Sequence, residues 1–292
     1  MGWRTIVITQ HAKVSYKGRR IVVQTDYDLN EIPIDDIEIL LIETTKVAIT
    51  TRAITELAKS MAKIIFADDM GQPLVETSHY LTNNRSKKII EKQFKWNLNR
   101  KELMWTWVVI AKLKMQIQVL KYNHIETEEL EYELSKLEIN DITNREAVIA
   151  RKYFPLLFEK GFERREYNPY NDSLNYGYSI LLSFVDLNIS AAGYLTQLGI
   201  HHRSDENQFN LGSDLMEPFR PIIDIWVSQQ ELKELTPEIK HKLIDIFNLE
   251  IKFNDKNMIF RNAIKKHVQD CLKYLSGEID SIKIKVELVN EV

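Results

Sequence analysis

The stretch RKELMWTWVVIAKLKMQIQVLKY, from Arg100 to Tyr122, decides how the chain is to be read. Leu103, Trp107, Ile110, Leu113, Ile117 and Leu120 follow one another at spacings of three and four. That period predicts an amphipathic helix with an apolar stripe facing a core. From Arg85 to Tyr122 there is neither proline nor glycine to interrupt it. Upstream the period is shorter. Ile6 and Ile8 alternate with Val7 and Thr9, and Ile21-Val22-Val23 follows Lys17-Gly18-Arg19-Arg20, the pattern of two strands around a tight turn. Ile37 to Ile42, Val47 to Thr50 and Ile64-Ile65-Phe66 supply further short strands. Thr51 to Met61 reads as one helix, and Asp68-Asp69-Met70-Gly71 ends the last strand. The switch falls near Tyr80 to Asn84, at the loop-like Thr82-Asn83-Asn84. The expected fold is therefore α+β, with a small β-rich domain over residues 1–80 and a larger all-α domain over 81–292. In the second part, helical patterns run over about 129–137, 144–160, 173–198, 213–230, 237–247 and 257–275. Ile282, Ile284, Val286 and Leu288 then alternate with Lys283, Lys285 and Glu287, which is the period of a strand.

The bulk numbers fit a globular protein. Of 292 residues, 44% are hydrophobic and 28% charged, enough apolar material for a core of either size. Apolar runs such as Ile37 to Ile42 and Trp105 to Ala111 are far shorter than a membrane span, and no secretory signal precedes the first strand. The single cysteine, Cys271, excludes a disulfide framework within one chain and a cysteine-based zinc site. Its helical spacing with Val268, Leu272 and Leu275 places it in a core. These features read as a cytoplasmic protein of bacterial type. The net charge of −3 argues mildly against a nucleic-acid binder, although phosphate contacts depend on where charge lies rather than on its sum.

The chain contains no Gly-Lys-Ser/Thr phosphate loop, no Gly-x-Ser-x-Gly elbow and no His-Glu-x-x-His, which removes P-loop ATPases, elbow-type serine hydrolases and helix-borne zinc proteases. Chemistry concentrates between Gly199 and Pro221. His201, His202, Asp214, Glu217 and Arg220 lie within this short span, and imidazole with carboxylate suits Mn²⁺, carboxylate oxygens also Mg²⁺. On a helix Asp214 and Glu217 would share a face, as would Glu217 and Arg220, but Pro218 and Pro221 make an irregular turn there. Spacing alone allows these to be loop histidines and a solvated helix start. Glu146 fits a capping box with Thr143, a structural role, and nothing in the spacing selects it over Glu131 or Glu133. Arg85, Lys88, Lys92 and Lys95 would line one helical face, with Phe94 and Trp96 interleaved. Such a face can track phosphates or simply be solvated.

Several blocks resemble one family. GIHHRSDENQFNLGSDLMEPFRP (Gly199 to Pro221), REAVIARKYF (Arg145 to Phe154) and NPYNDSLNYGYSILLS (Asn168 to Ser183) resemble, in order and spacing, the CRISPR-associated adaptation integrases, the "Cas-one" proteins. The opening GWRTIVITQHAKVSYKGRRIVV, Gly2 to Val23, is similar to the type II CRISPR subgroup. The resemblance spans essentially the whole chain. It implies a β-rich N-terminal dimerisation domain and a helical catalytic domain. It further implies a metal-dependent endonuclease and integrase that inserts spacers by 3′-hydroxyl attack on the repeat phosphodiester. By motif, the catalytic metal ligands fall on Glu146, His202 and Glu217, binding Mg²⁺ or Mn²⁺, with Asp214 assisting. His201 stands where the family usually has an apolar residue, and Glu217 where many members have Asp. The implied partners are double-stranded DNA fragments, CRISPR repeat DNA, a second copy of the chain, the small "Cas-two" subunit in a heterohexamer, and other proteins of the type II adaptation module, with no membrane. The same residues would also serve a nuclease of branched DNA or RNA without an integration role. A non-catalytic DNA-binding assembly subunit would need only the basic face.

Overall fold

The computed structural model describes residues 2–68, 73–77 and 87–289. The chain divides into two compact units, Met1–Thr82 and Asn83–Val292, the first rich in strands and the second mainly helical. The switch expected near Tyr80 to Asn84, the Asp69-Met70-Gly71 turn and Arg85 lie outside the described residues.

The first unit contains β1 (Arg4–Ile8), β2 (Ala12–Lys17), β3 (Arg20–Gln24), β4 (Leu29–Pro33), β5 (Ile37–Ile42), β6 (Val47–Ile49), α1 (Thr51–Lys59), β7 (Lys63–Ala67) and β8 (Pro73–Glu76). These form two four-stranded sheets, ordered β1-β5-β7-β8 and β4-β3-β2-β6. In the hairpin read from Lys17-Gly18-Arg19-Arg20, Lys17 pairs with Arg20, and Gly18 and Arg19 both take positive φ, 58° and 61°. That is the two-residue turn whose twist matches antiparallel strands. One core joins the layers. Val14, Ile21 and Val23 come from one sheet, Ile8, Leu40, Ile42 and Ile64 from the other, and Ala53 and Leu57 from α1. The Thr50 side chain accepts the Ala53 N–H and so starts α1.

The second unit runs α2 (Lys87–Phe94), α3 (Leu98–Tyr122), α4 (Glu128–Ser135), α5 (Arg145–Leu157), α6 (Pro169–Ala191), α7 (Asn210–Met216), a 3₁₀ turn (Glu217–Phe219), α8 (Arg220–Ser228), α9 (Pro237–Asp245), β9 (Glu250–Phe253), β10 (Lys256–Ile259), α10 (Phe260–Leu275) and β11 (Val286–Glu287). The stretch from Lys87 to Tyr122 is broken at Asn97, whose side chain accepts the Arg100 N–H and caps α3. α3 is buried on nearly every side. Met104, Trp105, Val108, Val109 and Met115 are as buried as Leu113, Ile117 and Leu120 of the expected stripe. It is thus the central helix of the unit rather than a surface helix, and α5, α8, α10 and the 3₁₀ turn pack on it.

The helical unit also holds a small antiparallel sheet, β10-β9-β11, absent from its reading as all α. Phe253 pairs with Lys256 across Asn254 and Asp255, both at positive φ, 49° and 64°. An Asn-Asp pair tolerates that conformation and so closes a two-residue hairpin. α10 therefore begins at Phe260, not at 257. The C-terminal alternation is a strand only at Val286 and Glu287, which pair with β9. Asn254 holds the segment before it, donating from its side chain to the Lys283 carbonyl and accepting the Lys285 N–H.

Candidate metal-binding site

The site begins on α3. Lys112 faces inward there, and its Nζ lies 2.5 Å from Glu146 Oε1 and 2.5 Å from Glu217 Oε2. Glu146 comes from the first turn of α5. Asp141 fixes that turn, because its carboxylate accepts the N–H groups of Arg145 (2.7 Å) and Glu146 (3.0 Å). The expected capping box is not formed. Asn144 is the cap residue, at φ 52°, and Thr143 Oγ1 has no hydrogen bond. Asp141 takes the role assigned to Thr143, and the Glu146 side chain is left to reach Lys112 instead.

Glu217 opens the 3₁₀ turn between α7 and α8, the irregular turn that Pro218 and Pro221 predict. Its Oε1 pairs with Arg220 Nε at 3.3 Å. Its Oε2 is buried and meets Lys112 as an ion pair without hydrogen-bond alignment. Burial alone would raise the Glu217 pKa, but Arg220 and Lys112 outweigh it and hold the carboxyl below its ordinary value. Burial likewise works against a charge on Lys112, and Glu217 and Glu146 reverse the effect, so this ammonium sits above the usual lysine value.

The histidines lie on the loop before α7 and are organised by Asp214, which has no solvent exposure. Its carboxylate accepts the backbone N–H groups of Ile200 (2.7 Å), His201 (3.1 Å) and His202 (3.0 Å). It also lies 2.6 Å from His202 Nδ1. A carboxylate only accepts, so Nδ1 carries the proton and Nε2 is the free ring nitrogen. Gly199 permits this close loop, since a Cβ there would stand 2.4 Å from the His202 carbonyl and 2.8 Å from Asp214 Oδ2. His201 takes a different place. Its ring stacks on Trp105 of α3 at 4.1 Å and 5°, while His202 meets the same indole edge-on. Burial lowers the His201 pKa, whereas the hydrogen bond to Asp214 raises that of His202.

The three expected ligands are brought together unequally. The glutamates converge on one nitrogen, and His202 is near enough for both to favour its protonated form. Among the described residues, no three His, Cys, Asp or Glu side chains form a ready-made metal cage. Sequence reasoning missed Lys112, Trp105 and Asp141. A lysine inside the apolar run WTWVVIAKL was the one available signal.

Beside His202 opens a cleft of about 420 Å³ whose lining includes Lys101, Arg203, Asn207 and Phe94. Burial, and secondarily Arg203, lowers the Lys101 pKa. The expected basic face is partly spent on an ion pair, since Lys92 meets Glu278 (2.7 Å), and the neighbouring Lys87 meets Glu91 (3.4 Å). Lys88 and Lys95 are exposed and form no ion pair among the described residues, although Lys95 lies just beyond the end of α2. Trp96 is buried against Tyr194 and does not share that face, whereas Phe94 is exposed.

Comparison with known proteins agrees with this arrangement. Residues 5–237 match the family described as CRISPR associated protein Cas1. The CRISPR-associated endonuclease Cas1 of Neisseria meningitidis serogroup C is 32% identical over 275 residues, covering 92% of this chain and 90% of the relative. Among solved structures, a casposase bound to integration product superposes with a TM-score of 0.79 at 20% identity, covering 96% of this chain and 93% of that one. A Cas6-RT-Cas1–Cas2 complex superposes at 0.75 and 19% identity, over 99% of this chain and 36% of the longer one. With the strand-rich unit, the helical unit and the acid cluster in place, the chain belongs to the Cas1 family.

Proposed function

We propose that this protein is a divalent-metal-dependent DNA integrase of CRISPR adaptation, joining the 3′-hydroxyl of a DNA fragment to a phosphodiester of repeat DNA. The observation that carries the reading is the convergence of Glu146 and Glu217 on one buried cationic position beside His202, in a chain of the Cas1 family.

The residues fit Mg²⁺ or Mn²⁺. Two carboxylates and an imidazole are the right donors, Glu217 Oε2 is buried against the Lys112 ammonium, a position where a cation is already favoured, and Asp214 occupies Nδ1 of His202 so that Nε2 is free to ligate. Glu146, His202 and Glu217 would hold the ion, which when bound supplies charge stabilisation at the phosphate oxygens. His201 fits that role less well, because its ring is packed flat on Trp105. Asp214 orients the His202 ring, and Arg220 and Lys112 keep Glu217 ionised. Lys101 and Arg203 line the adjoining cleft and draw the DNA backbone toward the cluster. One phosphodiester forms as another breaks, so no nucleoside triphosphate is required, consistent with a sequence lacking a phosphate loop.

A Cas2 subunit accompanies Cas1 in the solved complex described above, and the proposed partners here are a small Cas2-type subunit, DNA fragments and repeat DNA. Homodimerisation through residues 1–80 fits the edge strands that each four-stranded sheet leaves, β1 and β8 in one and β4 and β6 in the other. Among the described residues no helix is long and apolar enough to cross a membrane. The test is strand joining of a labelled fragment into repeat-bearing plasmid with Mn²⁺ and the small subunit. Joining by the wild type, and its loss in Glu217→Gln and His202→Ala with DNA binding retained, is the expected result. Wild-type joining by Glu217→Gln would end the proposal.

A further inference from the structure

Asp224, on α8, is an acid with 1% exposure. Two hydroxyls donate to it: Tyr153 of α5 reaches Oδ2 at 3.0 Å, and Tyr178 of α6 reaches Oδ1. Burial pushes its pKa up to about 6, against the opposing effect of the two tyrosine hydrogen bonds. A buried carboxylate is costly at neutral pH, and what it supplies here is an acceptor for two buried tyrosine hydroxyls.

The Tyr178 ring leads back to the acid cluster. The guanidinium carbon of Arg220 stands 4.7 Å from its centroid, and that of Arg164 stands 5.4 Å away. Arg164 is itself fixed by the side-chain carbonyls of Asn171 and Asn175. Arg220 pairs with Glu217. A tyrosine ring tethered by its hydroxyl offers a fixed π face, and a planar guanidinium resting on that face loses the freedom to swing. The links thus run from Asp224 to Tyr178, to Arg220, to Glu217.

We propose that Asp224 is a positioning residue for the candidate metal site: it anchors the Tyr178 hydroxyl, which fixes the ring on which Arg220 rests, and Arg220 sets the orientation of the Glu217 carboxylate. This rests on the reading of Glu217 as a metal ligand. Partners behind a metal ligand typically change metal affinity or activity by about 10- to 100-fold. Asp224 acts through two intermediates, so the lower end applies.

The test is Mn²⁺ binding by calorimetry on the full chain, with Asp224→Asn, Tyr178→Phe, the double variant and Glu217→Gln. Asp224→Asn is expected to weaken Mn²⁺ binding about tenfold. Its melting temperature is measured alongside, because Asn removes the buried charge but keeps only one acceptor oxygen for the two hydroxyls. Tyr178→Phe keeps the ring and changes no charge. It should weaken Mn²⁺ binding to a similar degree, and the double variant should be no worse than either single one, as expected for two changes on one route. In strand joining the same variants should lower kcat and leave KM for DNA unchanged. If Asp224→Asn unfolds, Tyr178→Phe alone decides. Wild-type Mn²⁺ affinity in Tyr178→Phe, alongside its loss in Glu217→Gln, overturns the positioning role and leaves the metal site standing. Wild-type affinity in Glu217→Gln overturns both.

Discussion

Nδ1 of His202 lies 2.6 Å from Oδ1 of Asp214, whose carboxylate has no solvent exposure and takes three backbone N–H groups of the same loop. Asp214 therefore fixes both the backbone path and the ring orientation of one candidate ligand. Asp214→Ala leaves four donors without that acceptor, at about 1–3 kcal/mol for each that stays buried and unpaired. Some would regain water, so the expected loss in urea unfolding is on the order of 3–5 kcal/mol. A loss below about 1 kcal/mol would show that the loop does not depend on this carboxylate.

The same hydrogen bond makes metal binding depend on pH. The bond to Asp214 raises the His202 pKa above the ordinary histidine value of 6.5. Because the folded value is the higher one, protonated His202 stabilises the fold fully below the unfolded value, and this contribution is lost as pH rises through the folded value. A metal needs the neutral ring. Mn²⁺ affinity should therefore climb with pH until the pH passes the raised folded value of His202, above 6.5, and level off beyond it. Asp214→Asn removes the bond to a charged acceptor and should shift the climb to lower pH. Calorimetric titrations across that range decide the matter. A profile that falls with pH, or that Asp214→Asn leaves in place, contradicts the assignment.

What the sequence made legible was local. The hairpin at Lys17 to Arg20 and the irregular turn at Pro218 were readable because turn geometry is written in adjacent residues. The β9–β10 hairpin had the same kind of signal in Asn254-Asp255, but the helical period of α10 was extended over it. Asp141 displaced Thr143 as the cap because Asn140, Asp141 and Asn144 all adopt positive φ, which a capping-box pattern does not anticipate. Lys112 was illegible for a different reason. Its partner Glu146 is 34 residues away, and only packing of α5 and the 3₁₀ turn on α3 makes this lysine an interior cation rather than a break in an apolar stripe. The functional triplet itself rested on family resemblance, since spacing did not select Glu146.

Lys112 is a second point of test. It is buried, and its single charge is shared between Glu146 and Glu217. Lys112→Met keeps much of the side-chain length and leaves two carboxylates facing each other. Removing one partner of a buried ion pair costs about 3–5 kcal/mol, so a loss of that size is expected in urea. Adding Glu217→Gln should restore part of it, because the second change removes one of the two stranded charges. If the double variant is as unstable as the sum of the single ones, the three groups are not coupled as the distances imply.

The final prediction separates cations available for DNA from cations engaged in the fold. Lys88 and Lys95 are exposed and line a groove of about 330 Å³ with Lys92. Lys92 is held by Glu278. Arg100 is more committed still. It donates to the carbonyls of Tyr274 and Ile279, each at 2.8 Å, pairs with Asp280 at 3.0 Å and lies over the Tyr274 ring. It thereby fastens the end of α10 and the segment that follows. Lys88→Glu with Lys95→Glu should weaken duplex binding and flatten its dependence on salt by about 0.9 in logarithmic slope for each phosphate contact removed. Joining at saturating DNA should stay near wild type, because neither residue is among the charges that act on Glu217, Lys112 or His202. Arg100→Ala should do the reverse, lowering the melting temperature while leaving the salt slope unchanged. Binding isotherms at several salt concentrations, paired with thermal unfolding, give both readouts on the same samples. An unchanged slope in the lysine variant would remove this face from DNA binding. A slope that flattens in Arg100→Ala would mean that this arginine reaches phosphate despite its bonds to α10.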